Sequence, residues 1–204
     1  KNTMKRLRSS LIIFPVTLVF LAGFKADNGI GTVKDKSAVA TVAVVPAAEG
    51  IQWLTIEEAY AKIQKEPRKV LIDVYTDWCG WCKVMDRETF KDKAVTDYIN
   101  KKYYAVKLDA EQKGTIKLGD KEFKYLAQGG RGINEIALAL TNNQPTYPTT
   151  VFLDDQFNMI QPLPGYLKAK EFHQIITFFG EDYHKKQDFE SYKAKTYGTL
   201  YPAK

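Results

Sequence analysis

The stretch "YTDWCGWCK", Tyr75–Lys83, decides how this chain is read, because it holds both cysteines of the protein, Cys79 and Cys82. Such a pair serves as half of a metal site, as a short crosslink, or as a redox centre. A structural zinc site asks for about four Cys or His ligands. Here there is one CxxC, no second one, and two histidines, His173 and His184, eleven positions apart. A crosslink over so short a loop removes little chain entropy, since that gain grows with loop length. Redox chemistry makes the larger demands on the surrounding sequence.

An attacking cysteine belongs at a helix N-terminus, where free peptide N–H groups and the macrodipole favour thiolate. Upstream, "KVLIDVYT" (Lys69–Thr76) is a continuous apolar run, as in a buried central strand, with Asp73 its one acid. Downstream, a helix is predicted from about Cys79 to Phe90. Cys79 then heads the helix, Gly80 lets the chain enter it without crowding, and Cys82 lies in its first turn. Asp73 is the candidate base for Cys82, since burial in an apolar strand raises a carboxyl pKa. Trp78 and Trp81 either form the contact surface around the sulfur or pack inward. Lys83 either favours the Cys79 thiolate or is a solvated charge, and Asp77 reads as surface.

The formal charge is +6, but the first 26 residues hold five cations and no acid, which leaves the rest at +1. A nucleic-acid binder concentrates charge on its folded domain, so that class is set aside. "MKRLRSS" followed by the 14-residue apolar run Leu11–Phe24 has the form of a secretory leader, too short to span a bilayer as a regular helix. Phe24 stands where a lipid-bearing cysteine would be, and the cleavage site is poor. Residues 4–24 therefore read either as a cleaved signal or as an anchor that tethers the protein to the membrane. The folded part is expected outside the cytoplasm, in the periplasm, where disulfide chemistry is permitted.

Residues 27–50 read as linker. Thr55 and Glu58 form a capping-box pattern, with Ile56, Ala59, Tyr60 and Ile63 on one helical face and Pro67 as the stop. A second helix is expected over Lys93–Asn100 and a strand over Tyr103–Ala110. "GTIKLGDKEFKYL" reads as a hairpin turning at Gly119-Asp120. "RGINEIALALT" carries Ile133, Ile136, Ala137 and Leu140 at helical spacing. "TTVFLD" and "MIQPL" read as antiparallel strands, and "KAKEFHQIITFFG" as a helix with Phe172, Ile175, Ile176 and Phe179 inward. The aromatic tail, residues 181–204, reads as a helical extension packed on the domain. The order, a βαβ half and then a ββα half, implies a mixed sheet with helices on both faces.

With these motifs in place, residues 53–180 resemble the thioredoxin superfamily. The WCGWCK motif with Asp73 six residues before Cys79, then "VKLD" (Val106–Asp109), "YPTTVFLD" and "PGYL" (Pro164–Leu167), follow the family's order. They are similar to exported thioredoxin-like proteins with CGWCK and to the C-terminal domain of the bacterial transmembrane disulfide-interchange reductase. The resemblance implies an α/β thioredoxin fold over 51–180, with an insertion at about 111–146 ahead of the cis-proline loop and a C-terminal helical extension. It implies a redox-active Cys79/Cys82 disulfide, catalytic roles for Cys79, Cys82 and Asp73, and Lys107 as the neighbour of that acid, unless Lys107 projects to solvent. Substrate contacts fall to Trp78, Gly80, Trp81, Tyr147, Pro148 and Gly165, with Pro148 rather than Pro145 as the cis residue. A cis bond there leaves the Tyr147 backbone free to pair with an extended substrate. The implied activity is reduction of protein disulfides by a monomer without cofactor or metal, supplied by an upstream electron-donor thiol protein. Oxidase, isomerase and non-catalytic binding or chaperone readings stand beside it. The Gly80-Trp81 dipeptide departs from the Gly-Pro of ordinary thioredoxins, so their redox poise does not carry over. The insertion, with "QGGRG" at its middle, either borders the active site or lies at the periphery.

Overall fold

The computed structural model describes residues 50–202. The leader expected over 1–26, and all but the last residue of the linker expected over 27–50, lie outside them. In chain order the described residues form β1 (Trp53–Leu54), α1 (Ile56–Ile63), β2 (Lys69–Tyr75), α2 (Gly80–Glu88), α3 (Lys93–Lys102) and β3 (Tyr103–Asp109). Two hairpins follow, β4 (Ile116–Leu118) with β5 (Lys121–Phe123) and β6 (Tyr125–Gln128) with β7 (Arg131–Asn134). Then come α4 (Glu135–Leu140), β8 (Thr149–Leu153), β9 (Met159–Pro164) and α5 (Ala169–Gly180). Among the described residues no helix is long and apolar enough to cross a membrane.

The main sheet has the order β1-β3-β2-β8-β9. The first three strands run parallel, β8 runs antiparallel to β2, and β9 turns back antiparallel to β8. This is the thioredoxin fold, with β2 central because its side chains are apolar on both faces. Val70, Ile72 and Val74 enter one core with α1, α4 and the first hairpin, while Leu71 enters the other with α2, α3 and α5. Period-two alternation therefore sends Asp73, an odd position like Leu71, to the α2/α3/α5 side.

The capping box forms: the Thr55 hydroxyl accepts the Glu58 N–H at 3.1 Å and Glu58 accepts the Thr55 N–H at 2.8 Å. The helix ends at Ile63, before Pro67, because the next N–H groups turn back to the Lys62 carbonyl. The expected helix from Ile133 is corrected: Ile133 belongs to strand β7, paired with Leu126. The cause is Asn134, extended at φ −76° and ψ 137°, which ends the strand and caps α4 by accepting the Ile136 N–H. Gly132 is required in that hairpin, since a Cβ there would stand 2.3 Å from the Leu126 carbonyl oxygen.

On α5, Phe172, Ile175 and Ile176 are buried as expected from their spacing, but Phe179 is half-buried and its neighbour Phe178 is buried. The tail explains this. It folds back over α5, setting Phe189 edge-on and Tyr192 tilted against Phe178. Tyr192 is wholly buried and its hydroxyl donates to Thr177 Oγ1 at 2.7 Å. Tyr192→Ala should lower unfolding stability by about 3–5 kcal/mol, the range for deleting a buried aromatic ring. Denaturant titration checks this, and an unchanged midpoint would show that the tail adds nothing to the core.

Candidate active site

The extended strand β2 delivers the chain to the sheet's upper edge, and α2 begins four residues after Thr76. Cys79 is the N-cap of α2: its sulfur accepts the Cys82 N–H at 3.0 Å. Cys79 and Cys82 are joined in a disulfide whose Cα atoms are 5.3 Å apart. On opening, a Cys79 thiolate would keep the helical N–H and the positive end of the helix dipole, the two features that lower a thiol pKa.

Two tryptophans flank the disulfide, and neither packs inward: Trp78 is 49% exposed and Trp81 62%. Each is held from the side. Trp78 donates its indole N–H to Glu111 at 3.0 Å and meets Tyr147 edge-on at 5.9 Å between centroids. The Arg131 guanidinium lies 4.6 Å from the Trp78 ring centre. Arg131 follows directly after "QGG", so the inserted hairpin borders the rim of the site. Trp81 stacks on Tyr166 at 5.3 Å, and the Tyr166 hydroxyl donates to Glu88.

The Tyr147–Pro148 bond is cis. The Pro148 carbonyl accepts the N–H of Gly165, which has φ +103°, a conformation that favours glycine. Among the described residues the Tyr147 main chain makes no hydrogen bond. Burial raises the Tyr147 hydroxyl to about 12, so it stays protonated at neutral pH.

Beneath the disulfide-bearing helix, Asp73 is 1% exposed. Lys107, its register partner on β3, reaches it at 2.6 Å rather than projecting to solvent. Burial raises the Asp73 pKa above the usual aspartate value, outweighing the lowering by Lys107. Lys107 is held above the usual lysine value: burial opposes its charge, and the carboxylates of Asp73 and Asp86 overcome that. Asp86, on α2, also hydrogen-bonds Lys107 Nζ. Sequence reasoning missed Asp86, because one acid on the polar side of an amphipathic helix carries no signal of what it faces. Gly80 is exposed in the first turn of α2 with open space around it. Lys83 and Asp77 are also exposed.

The structure thus brings Cys79, Gly80, Cys82, Trp78 and Trp81 together on one segment. It adds Tyr147 beside Trp78, Pro148 and Gly165 as bonded neighbours, and the Asp73–Lys107 pair on the sheet.

A family model described as "Thioredox_DsbH: Protein of unknown function, DUF255" matches residues 42–197. A stretch of 46 residues is 35% identical to the thiol:disulfide interchange protein DsbD of Pectobacterium atrosepticum, covering 22% of this chain and 8% of that protein. Over 96 residues it is 25% identical to human spermatogenesis-associated protein 20, covering 47% of this chain and 12% of that one. The matched stretches are therefore only about a tenth of the length of these curated relatives. A solved structure titled DsbH oxidoreductase aligns over 74% of this chain and 93% of its own, at 15% identity and a TM-score of 0.46.

Proposed function

The chain belongs to the Thioredox_DsbH family, and from that premise we propose that it is a thiol–disulfide oxidoreductase that reduces protein disulfides outside the cytoplasm. The observation that carries the reading is the Cys79 sulfur, crosslinked to Cys82 while capping α2 between two exposed tryptophans.

In the reducing direction the Cys79 thiolate attacks one sulfur of a substrate disulfide. A Cys79–substrate disulfide forms, and the other substrate sulfur leaves as thiolate and takes a proton. Cys82, giving its proton to Asp73, then attacks the Cys79 sulfur. The Cys79–Cys82 bond forms and the second substrate thiol departs, so two electrons pass from the dithiol to the substrate. An upstream thiol protein returns them by the reverse exchange. Lys107 holds the Asp73 carboxylate in place. Trp78, Gly80, Trp81 and Gly165 shape the contact surface, and the main chain of Tyr147, next to Pro148 and unpaired among the described residues, is available to an extended substrate segment. No resident cofactor is needed. The basic leader-like segment 4–24 supports export, with or without retention as an anchor.

The direction of flux is tested by equilibrium with a glutathione redox couple. A reductase should settle near the thioredoxin potential of about −270 mV. A value higher by about 100 mV would replace the reductase with the oxidase or isomerase alternative.

A further inference from the structure

Asp73 has a neighbour on each side along the sheet. Its register partner on β3 is Lys107, and on β8 it is Thr150. Val151 and Leu153 enter the α1 core and Phe152 enters the α5 core, so alternation places Thr150 on the Phe152 face, the same face as Asp73. Directly opposed residues of an antiparallel pair have Cβ atoms about 5 Å apart.

The hydrogen-bond account of these three residues is uneven. Lys107 serves Asp73 Oδ2 at 2.6 Å. Among the described residues Asp73 Oδ1 is buried with no partner, and Thr150 Oγ1 is likewise buried with no partner. Buried polar atoms without partners are few in folded proteins, and each costs its desolvation. A carboxylate oxygen only accepts, and a threonine hydroxyl can donate. The two unpaired atoms are complementary in chemistry and sit on opposed residues.

We propose that Thr150 is a positioning residue for Asp73: its hydroxyl donates to Oδ1, on rotation of the side chain or through one bridging water, and fixes the carboxylate against Lys107. Thr150 acts through Asp73, and the inference deepens the reading of Asp73 as the base for Cys82, on which it rests. A donor to the charged form stabilises the carboxylate, so the hydroxyl moderates the rise in proton affinity that burial imposes. The charged groups acting on Asp73 are Lys107 on β3 and Asp86 on α2, and Tyr75 on its own strand is neutral where a carboxyl titrates; all are unchanged by substitution at 150.

The test uses the oxidised protein, in which Cys79 and Cys82 do not titrate. The Asp73 carboxyl is followed directly by carbon-13 NMR or infrared difference titration. Thr150→Val keeps the shape and removes the donor, and the midpoint should rise by about one pH unit. Thr150→Ser keeps the donor and should hold the midpoint near wild type. A midpoint unchanged or lowered in Thr150→Val overturns the proposal, as does an equal rise in Thr150→Ser. Thr76 Oγ1, three residues after Asp73, is buried and without a partner among the described residues too. A rise with Thr76→Val and none with Thr150→Val would also overturn it. None of these readings depends on turnover. Loss of the oxidoreductase reading would appear separately, as wild-type protein that reduces no disulfide.

Discussion

Replacing Cys79 by serine should reduce the rate of protein-disulfide reduction to that of the added reductant alone, a loss of at least about 10³-fold. The reason is positional as well as chemical. Cys79 is the residue that caps α2, so it alone of the pair combines a helical N–H on sulfur with a place at the aromatic rim. A serine hydroxyl at the same cap is not appreciably ionised at neutral pH and forms no exchangeable bond to sulfur. The fold should survive the change. The crosslink spans a sequence separation of three, and so short a loop contributes little stability through chain entropy. Reduction of insulin disulfides, followed alongside a denaturation curve, separates lost chemistry from lost folding. Equal rates for wild type and Cys79→Ser would end the enzymatic reading.

Asp73→Asn should slow resolution of the mixed disulfide by about 10²-fold at neutral pH, the lower end of what a positioned base supplies. The sign of the pH dependence follows from the burial of Asp73. A base works in its charged form, so the wild-type rate should climb as pH rises through a midpoint above the ordinary aspartate value. The asparagine variant should lose that limb. Stability moves the other way. Folding raises the Asp73 pKa, so the folded state binds the proton more tightly than the unfolded state. Wild type should therefore lose stability as pH rises from the ordinary aspartate value through the raised one. Asparagine carries no charge there, and its stability should be flatter over that window. Stopped-flow quenching gives the rate and denaturant titration at several pH values gives the slope. A variant that keeps both wild-type profiles would remove Asp73 from the mechanism.

The parts legible in the sequence were those in which local pattern and tertiary environment agree. The apolar run of β2 with Asp73 in it, the Thr55–Glu58 capping box and the turn at Gly119-Asp120 all have local causes. Each appears where its pattern placed it. The second hairpin did not show, because Ile133 falls at helical spacing from Ile136, Ala137 and Leu140. Only the cap at Asn134, with its extended backbone, separates strand from helix. Strand β1 is two residues long and exists through pairing with Ala105 and Val106, contacts 52 positions away in sequence that no local pattern encodes. The site divides in the same way. Cys79, Cys82 and their tryptophans are a local motif. Asp86 and Thr150 matter only through what faces them. "TTVFLD" reads as β-branched strand whichever face Thr150 takes, and the register Asp73 to Thr150 is set by the assembled sheet. Arg131 was equally hidden, since its meeting with Trp78 joins an inserted hairpin to the head of α2.

The measurement that bears most directly on the central claim is trapping with Cys82→Ser. With the resolving sulfur gone, Cys79 should still attack substrate disulfides, and the mixed disulfides should accumulate. Non-reducing electrophoresis would then show adducts of Cys82→Ser that collapse on reduction and are missing from a Cys79→Ser, Cys82→Ser double variant. Adducts formed instead by Cys79→Ser through Cys82, or none from either single variant, would contradict the account.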